Sequence, residues 1–142
     1  MQNSSHSTLK PEDIPHKMLS QDAFSTWLGV EIIEVKLGYC KLGLRIRKDL
    51  LNSMQKAHGA ITYALADTAF GFAANTYGKF AVSIETSINH IEALEEGDYI
   101  TAETSVEITK NKLGFQTVHI KKEQELVALF KGVVYRTSKN WV

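Results

Sequence analysis

One carboxylate, Asp67, interrupts a long uncharged segment of the chain. It is the single formally charged side chain between Lys56 and Lys79, in the apolar run Ala60–Asn75. A run that is apolar on every face predicts a helix packed inside the protein. An ionised carboxylate in such a helix is costly unless it is paired, hydrogen-bonded or left at a cavity.

Residue types leave two interpretations of Asp67 open. In the first, the carboxylate is structural, and backbone donors or the hydroxyl of Thr68 satisfy it. In the second it is a catalytic carboxylate, because desolvated titratable groups cluster at functional sites.

A second candidate feature stands directly before this helix, in the segment Asn52-Ser53-Met54-Gln55-Lys56-Ala57-His58-Gly59. Gly59 has no side chain at the place where the first free N–H groups of the helix emerge. A carbonyl oxygen can approach these groups closely and is stabilised by the positive end of the helix dipole. This predicts an oxyanion site, and the alternative is an ordinary turn glycine.

Composition excludes several classes of protein. The 142 residues predict one domain, and 16 basic against 16 acidic side chains give no net charge, so we expect no nucleic-acid or membrane-surface partner. The one cysteine, Cys40, excludes an internal disulfide and a multi-cysteine metal site. No apolar run reaches the length of a membrane span and the N-terminus has no secretion signal, so we expect a cytoplasmic protein.

The rest of the chain alternates between short strands and turns. Residues 1–18 are rich in Ser, His and Pro and predict a flexible arm, followed by a single domain over 19–142. Ser20 is predicted to cap a short helix that Gly29 ends. Period-two alternation predicts six strands, over 30–36, 39–46, 80–91, 99–109, 115–122 and 126–137.

These elements predict an α+β fold. Consecutive strands with short turns form an antiparallel sheet with one dry face, and the Ala60–Asn75 helix is the element apolar enough to cover that face. In the strand over 80–91, Val82, Ile84 and Ile88 are predicted to share one face. The result is an antiparallel sheet wrapped around a long central helix.

In combination, these motifs resemble the hotdog-fold acyl-CoA thioesterases, and most of all their phenylacetyl-CoA (PaaI-like) branch. The resemblance covers residues 52–137 with the right order and spacing. Its pieces are Asn52, His58-Gly59, Leu65-Ala66-Asp67-Thr68-Ala69-Phe70, Val82-Ser83-Ile84, Gly97-Asp98 and Ala128-Leu129-Phe130-Lys131-Gly132.

The resemblance implies thioester hydrolysis at a dimer interface. Asp67 would activate water as general base, or else attack as a nucleophile, and the Gly59 N–H would polarise the thioester carbonyl. Asn52 and His58 would support catalysis, although a turn Asn and a structural His remain alternatives. Implied or candidate substrate contacts are Ser83, Ala60, Tyr63, Phe70 and Lys112, and Lys56, Lys79 and Lys110 are further candidates for the phosphates of coenzyme A.

No metal or prosthetic group is implied, since coenzyme A is part of the substrate. We expect a homodimer, assembled further into a dimer of dimers. The spacing of two residues supports a shared site independently. Gly59 and Asp67 are eight positions apart, about 12 Å along one helix, so one helix alone is unsuited to place both on one thioester.

Two departures from the family pattern stand out. Ala60 occupies the position of a usual second glycine, so its methyl group either narrows the carbonyl site or simply sits in the helix. Glu92-Ala93 replaces a frequent Arg-Pro pair, which argues against a phosphate contact there.

Two other functions remain as alternatives. A hotdog hydratase or dehydratase needs an acid-base pair across a carbon-carbon double bond, usually a closely spaced Asp and His. A non-catalytic acyl-CoA-binding domain has little reason to carry the desolvated Asp67.

Overall fold

The computed structural model describes residues 9–141, which form one antiparallel sheet packed against a long helix. The helices are α1 (Asp13–Gln21), α2 (Ala23–Leu28) and α3 (Gly59–Asn75), and a short 3-10 helix spans Lys48–Leu50. The strands are β1 (Glu31–Lys36), β2 (Tyr39–Arg45), β3 (Lys79–His90), β4 (Tyr99–Lys110), β5 (Leu113–Lys122) and β6 (Glu125–Asn140). The predicted helix and all six predicted strands are confirmed to within three residues at each end.

The order of strands across the sheet is β1-β2-β4-β5-β6-β3, with every neighbouring pair antiparallel. The chain leaves β2, runs through α3 and enters the far edge of the sheet as β3. It then returns to β4 beside β2, and β4, β5 and β6 follow as a meander. This order places β1 and β3 at the two edges.

The core lies between α3 and the sheet. The helix contributes Leu65 and Phe70, and the strands contribute Leu42, Ile120 and Phe130, all of which are completely buried. Burial of an aliphatic or aromatic side chain contributes about 1.5 to 3 kcal/mol. The predicted arrangement, a sheet wrapped around a central helix, is confirmed.

The N-terminal prediction is partly wrong. Residues 13–18 are not an arm, because they belong to α1, and Ile14 in this helix is only 2% exposed. Burial of Ile14 and Pro15 holds the helix against the domain. Residues 1–8 of the predicted arm lie outside the described residues.

The short helix before β1 starts at a different cap from the one expected. Asp22, not Ser20, is the N-cap of α2, and its carboxylate accepts hydrogen bonds from the backbone N–H and the hydroxyl of Ser25. Gly29 ends the helix in the left-handed conformation, as predicted.

Strand β3 contains an irregularity that the alternation pattern did not show. The register with β6 shifts between Ser83 and Glu85, which is typical of a β-bulge. Val82 and Ile84 are therefore exposed, 53% and 58%, while Ile88 packs against the core, so the prediction that the three share a face is wrong. After the bulge, Thr86 and Ile88 face α3.

A close contact between α3 and β6 gives a test of the packing. A Cβ atom added to Gly132 would lie 2.5 Å from Cζ of Phe70. Gly132→Ala should therefore lower the free energy of unfolding by about 1 to 3 kcal/mol, because the buried ring cannot move away freely. Urea unfolding would measure this, with Lys131→Ala at the adjacent exposed position as control, and an unchanged midpoint for Gly132→Ala would contradict the packing.

Candidate active site

Asp67 lies on the one stripe of α3 that the sheet does not cover. The stripe consists of Ala60, Ala64, Asp67 and Gly71, which recur at helical spacing and are all exposed or partly exposed. Burial alone raises the pKa of the Asp67 carboxyl group, and no charge or hydrogen bond in the described residues offsets it. Asp67 is thus an unpaired, partly desolvated carboxylate at the surface of this chain.

The structural interpretation of Asp67 required a donor such as Thr68. The Thr68 hydroxyl instead donates to the carbonyl oxygen of Ala64 at 2.7 Å, and a hydroxyl has one proton to give. The hypothesis that the Thr68 hydroxyl satisfies the Asp67 carboxylate is therefore wrong.

The start of α3 is built so that one backbone donor stays free. His58 is the N-cap, and its Nδ1 accepts a hydrogen bond from the Ala60 N–H at 3.0 Å. Gly59, the first helical residue, has no acceptor for its own N–H within residues 9–141. The His58 ring therefore has a structural task, and Gly59 offers the donor that an oxyanion site needs.

The loop before the helix is folded by Asn52. Its Oδ1 accepts hydrogen bonds from the N–H groups of Met54 and Lys56, at 2.9 and 3.1 Å. Its backbone N–H donates to the Lys56 carbonyl at 2.7 Å. The amide oxygen is thus committed to the turn, and only the Nδ2 group of Asn52 is available to a ligand.

A cavity of about 320 Å³ opens in front of this helix start. Its walls come from the loop, from the first turn of α3 and from the end of β3. Lining residues are Asn52, Met54, Lys56, Ala57, Gly59, Thr62, His90, Ile91, Glu92, Ala93 and Leu94. Lys56 forms an ion pair with Glu95, and this hydrogen bond lowers the pKa of the exposed Glu95 carboxyl group.

The sequence analysis missed two polar residues of this cavity, Thr62 and His90. The Thr62 hydroxyl lies 3.1 Å from the Gly59 carbonyl oxygen and 3.2 Å from Nδ1 of His90. His90 lies two residues after Ile88 on the face of β3 that points toward α3. Strand alternation from Ile88 would have found it, but the bulge hid the change of face.

Comparison with known proteins agrees with this geometry. Residues 54–129 match the model of the Thioesterase superfamily, more than half of the chain. The chain belongs to the thioesterase superfamily. The acyl-coenzyme A thioesterase PaaI of Escherichia coli is 33% identical over 122 residues, which cover 85% of this chain and 87% of that protein. A candidate esterase of Archaeoglobus fulgidus is 35% identical over 92% of this chain and 85% of its own length.

Solved structures show the same fold. The E. coli PaaI protein from the phenylacetic acid degradation operon superimposes with a TM-score of 0.89 at 30% identity, covering 94% of this chain and 99% of that one. A hypothetical thioesterase of Streptococcus pneumoniae, solved with coenzyme A, has a TM-score of 0.80 at 22% identity, over 87% of this chain and 98% of that one. The hotdog fold is confirmed, and this member of the superfamily is a thioester hydrolase.

In this thioesterase the predicted catalytic residues fall into two groups. Asn52 and Gly59 line the same cavity, with His58 as the cap beside them. Asp67 lies two turns further along α3 and does not line that cavity. One chain therefore holds the donor and the carboxylate at separate places.

The predicted substrate contacts are more scattered. Tyr63 lies between α3 and β3, where its hydroxyl group and that of Thr86 are 2.7 Å apart. Phe70 is completely buried and packs on Phe130, at 5.4 Å between ring centroids, so it is a core residue. The methyl group of Ala60 points outward on the exposed stripe of α3.

The remaining candidates lie outside the cavity. Ser83 is exposed on the edge strand β3, opposite Val134 of β6. Lys112 is in the turn between β4 and β5, with Nζ 5.7 Å from the ring centre of Tyr135. Lys79 and Lys110 are exposed, and of the four candidate lysines only Lys56 lines the cavity.

Neither a metal centre nor a membrane span is found in the described part of the chain. Across residues 9–141, no three His, Cys, Asp or Glu side chains are grouped so that they could hold a metal ion. Within the same residues no helix is long and apolar enough to cross a membrane.

Substitutions of His58 distinguish its structural role as the helix cap from a role in catalysis. His58→Ala should remove the acceptor for the Ala60 N–H and lower the free energy of unfolding by about 0.5 to 2 kcal/mol. His58→Asn supplies another good capping group, so it should recover most of the stability and of the thioesterase rate. Thermal unfolding and thiol release would measure both, and an Asn variant that is stable but inactive would show that the imidazole takes part in the chemistry.

Proposed function

We propose that this thioesterase hydrolyses acyl-CoA, with aryl-acetyl or medium-chain acyl groups as its substrates. The observation that supports this most is the Asp67 carboxylate, which has no partner in the described residues and is partly exposed on a stripe of an otherwise apolar helix. The free N–H of Gly59 at a cavity supplies the second half of the chemistry. The PaaI relative is named for acyl-coenzyme A, which supports the same substrate class.

The reaction needs one base and one oxyanion donor. The Asp67 carboxylate takes a proton from water as the water oxygen attacks the thioester carbonyl carbon, and the carbonyl π electrons move to oxygen. The Gly59 N–H stabilises that oxyanion. When the carbonyl re-forms, the carbon–sulfur bond breaks, and the proton on Asp67 passes to the departing thiolate, giving free acid and CoA thiol.

The site is composite, with Gly59 from one subunit and Asp67 from the other. The two residues are about 12 Å apart along one helix at 1.5 Å per residue, whereas both groups must come within about 3 Å of one thioester. Two antiparallel copies of α3 that meet across a two-fold axis bring the start of one helix toward the middle of the other.

Two surfaces of the monomer support such a pairing. The exposed stripe of α3 is made of small residues around Asp67, so another helix can approach it closely. Strand β3 is a twelve-residue edge strand with exposed Val82 and Ile84, and an unprotected apolar edge is suited to pairing with a second chain. Exposed Phe115 and Tyr135 on the sheet fit a further dimer-of-dimers contact.

Aromatic side chains are available for the acyl group. Tyr63 flanks the exposed stripe of α3 on the side of β3. On the other side, α2 packs beside Thr68 through Ser25 and carries the exposed pair Phe24 and Trp27, with ring centroids 6.0 Å apart.

We expect no metal or prosthetic group, and a cytoplasmic location stays a prediction.

The first test of this function is thiol release from a panel of acyl-CoAs, with phenylacetyl-CoA included. In Asp67→Asn, kcat should fall about 10²- to 10⁴-fold with little change in substrate binding. The wild-type rate should rise with pH through the pKa of Asp67. This pKa is higher than that of an ordinary aspartate because burial raises it. This rise should be absent from the Asn variant.

Stability provides the control. A raised pKa in the folded state means that Asp67 favours folding when protonated and that this contribution is lost as pH rises through the folded pKa. Asp67→Asn should therefore be at least as stable as the wild type at neutral pH. A folded Asn variant with the wild-type rate would refute the base. Double-bond hydration by the wild type, or acyl-CoA binding without turnover, would favour the alternative functions.

Mixed dimers test the composite site. Asp67→Asn subunits are combined with Gly59→Pro subunits, in which Pro removes the N–H donor at the first helical position. His58 has φ −60° and ψ 138°, which suits a residue before proline. Each parent should be nearly inactive, but half of randomly paired dimers have one intact site, so about a quarter of wild-type activity should return.

Native mass spectrometry should confirm the heterodimers before activity is compared. Confirmed heterodimers with no activity above that of the parents would contradict the shared site. A fully active monomer would do the same.

A further inference from the structure

Two contacts to one hydroxyl engage one nitrogen of the His90 ring. The Thr62 Oγ1 atom is within hydrogen-bond distance of both the Gly59 carbonyl oxygen, 3.1 Å, and His90 Nδ1, 3.2 Å. The hydroxyl has one proton, which it gives either to that carbonyl oxygen or to Nδ1, and in both cases Thr62 occupies Nδ1 of His90. Nε2 is therefore the ring nitrogen that is left available to a ligand.

The same ring lies next to the free N–H of Gly59. A Cβ atom built on Gly59 would be 3.3 Å from His90 Nε2. Since Cβ and N of one residue are about 2.5 Å apart, Gly59 N and His90 Nε2 are separated by no more than about 5.8 Å. This separation permits one oxygen atom at about 2.9 Å from each nitrogen.

We propose that His90 is a second oxyanion donor, whose Nε2–H and the Gly59 N–H together hold the thioester carbonyl oxygen. The inference rests on the proposed function, because it assumes a thioester in this cavity. When the Thr62 hydroxyl donates to Nδ1, the neutral ring carries its proton on Nε2, and that N–H can donate to the developing oxyanion.

The surroundings of His90 contain few other charges. On the cavity walls these are Lys56, which is paired with Glu95, and Glu92 on the segment that follows β3. Gly59 and Thr62 of α3 are uncharged, and so is Ala128, which is opposite His90 on β6. In the composite dimer, the Asp67 carboxylate of the second subunit would be the acidic group across the site.

The proposal makes the thioesterase rate depend on His90 in a way that a packing role would not. Three proteins are compared: the wild type, His90→Phe, which keeps a ring but has no donor, and His90→Gln, which keeps an N–H donor. The substrate is the acyl-CoA that the wild type hydrolyses fastest, and kcat and KM are measured from about pH 5 to 9.

The expected results are specific to a hydrogen-bond donor at this position. His90→Phe should lower kcat about 10²-fold, as is typical when one oxyanion donor is removed, while KM stays within about threefold. His90→Gln should have a kcat between those of the wild type and the Phe variant.

Proton-detected ¹⁵N spectra of the imidazole give a readout that does not need turnover. His90 should be protonated on Nε2, and Thr62→Val, which removes the proton donor to Nδ1, should shift the ring toward the Nδ1–H form. A wild-type ring protonated only on Nδ1 would overturn the assignment of the donor.

Several other results would overturn the proposal. A folded His90→Phe with wild-type kcat would do so while leaving the proposed function intact. If His90→Phe does not fold, His90→Ala, which also has no side-chain donor, takes its place, and wild-type kcat in that variant would have the same meaning. A wild type that releases no thiol from any acyl-CoA would reject the proposed function and this role together.

Discussion

The burial of one long apolar helix against the sheet is the constraint on which the rest of the structure depends. Five strands contact α3, and its Leu65 and Phe70 side chains are fully buried, so almost every direction around the helix is occupied. A charged side chain can be accommodated only on the stripe that the sheet leaves uncovered. Asp67 lies on that stripe, where it is desolvated enough to hold its proton more tightly and open enough to meet water.

The start of the same helix provides the complementary chemistry. Residues expected to act on the substrate are used in part to build the turn: Asn52 accepts two backbone hydrogen bonds, and His58 caps the helix. His58 accepts the N–H of Ala60, whereas the N–H of Gly59, a residue that lines the cavity, has no acceptor within residues 9–141. The first turn of α3 thus leaves the Gly59 N–H available as a donor while neighbouring N–H groups are hydrogen-bonded. Available N–H groups of this kind make a helix N-terminus a site for negative charge.

Rigidity of α3 connects these two features to quaternary structure. Within one helix, Gly59 and Asp67 stay about 12 Å apart along the axis. Hydrolysis of one thioester by both residues therefore favours a site in which two chains each supply one of them. The sheet order supports this, since it leaves β3 at an edge with apolar side chains exposed next to the same helix. Catalysis and assembly are therefore linked in the proposed site, because the surface that buries apolar area would also complete the active site.

The sequence alone was sufficient for the fold and for the two groups with the strongest local signals. Period-two alternation and one apolar run define the strands and α3. Asp67 stands out because it is the charged residue of that run, and Gly59 is a candidate because it lies where the first free N–H groups of the helix emerge. Tertiary structure was needed for whatever depends on contacts between distant segments. It folded residues 13–18 into α1 through burial of Ile14, placed a bulge in β3, and brought His90 to Thr62 and Gly59. Local patterns report which face a residue takes, but the partners on that face come from other parts of the chain.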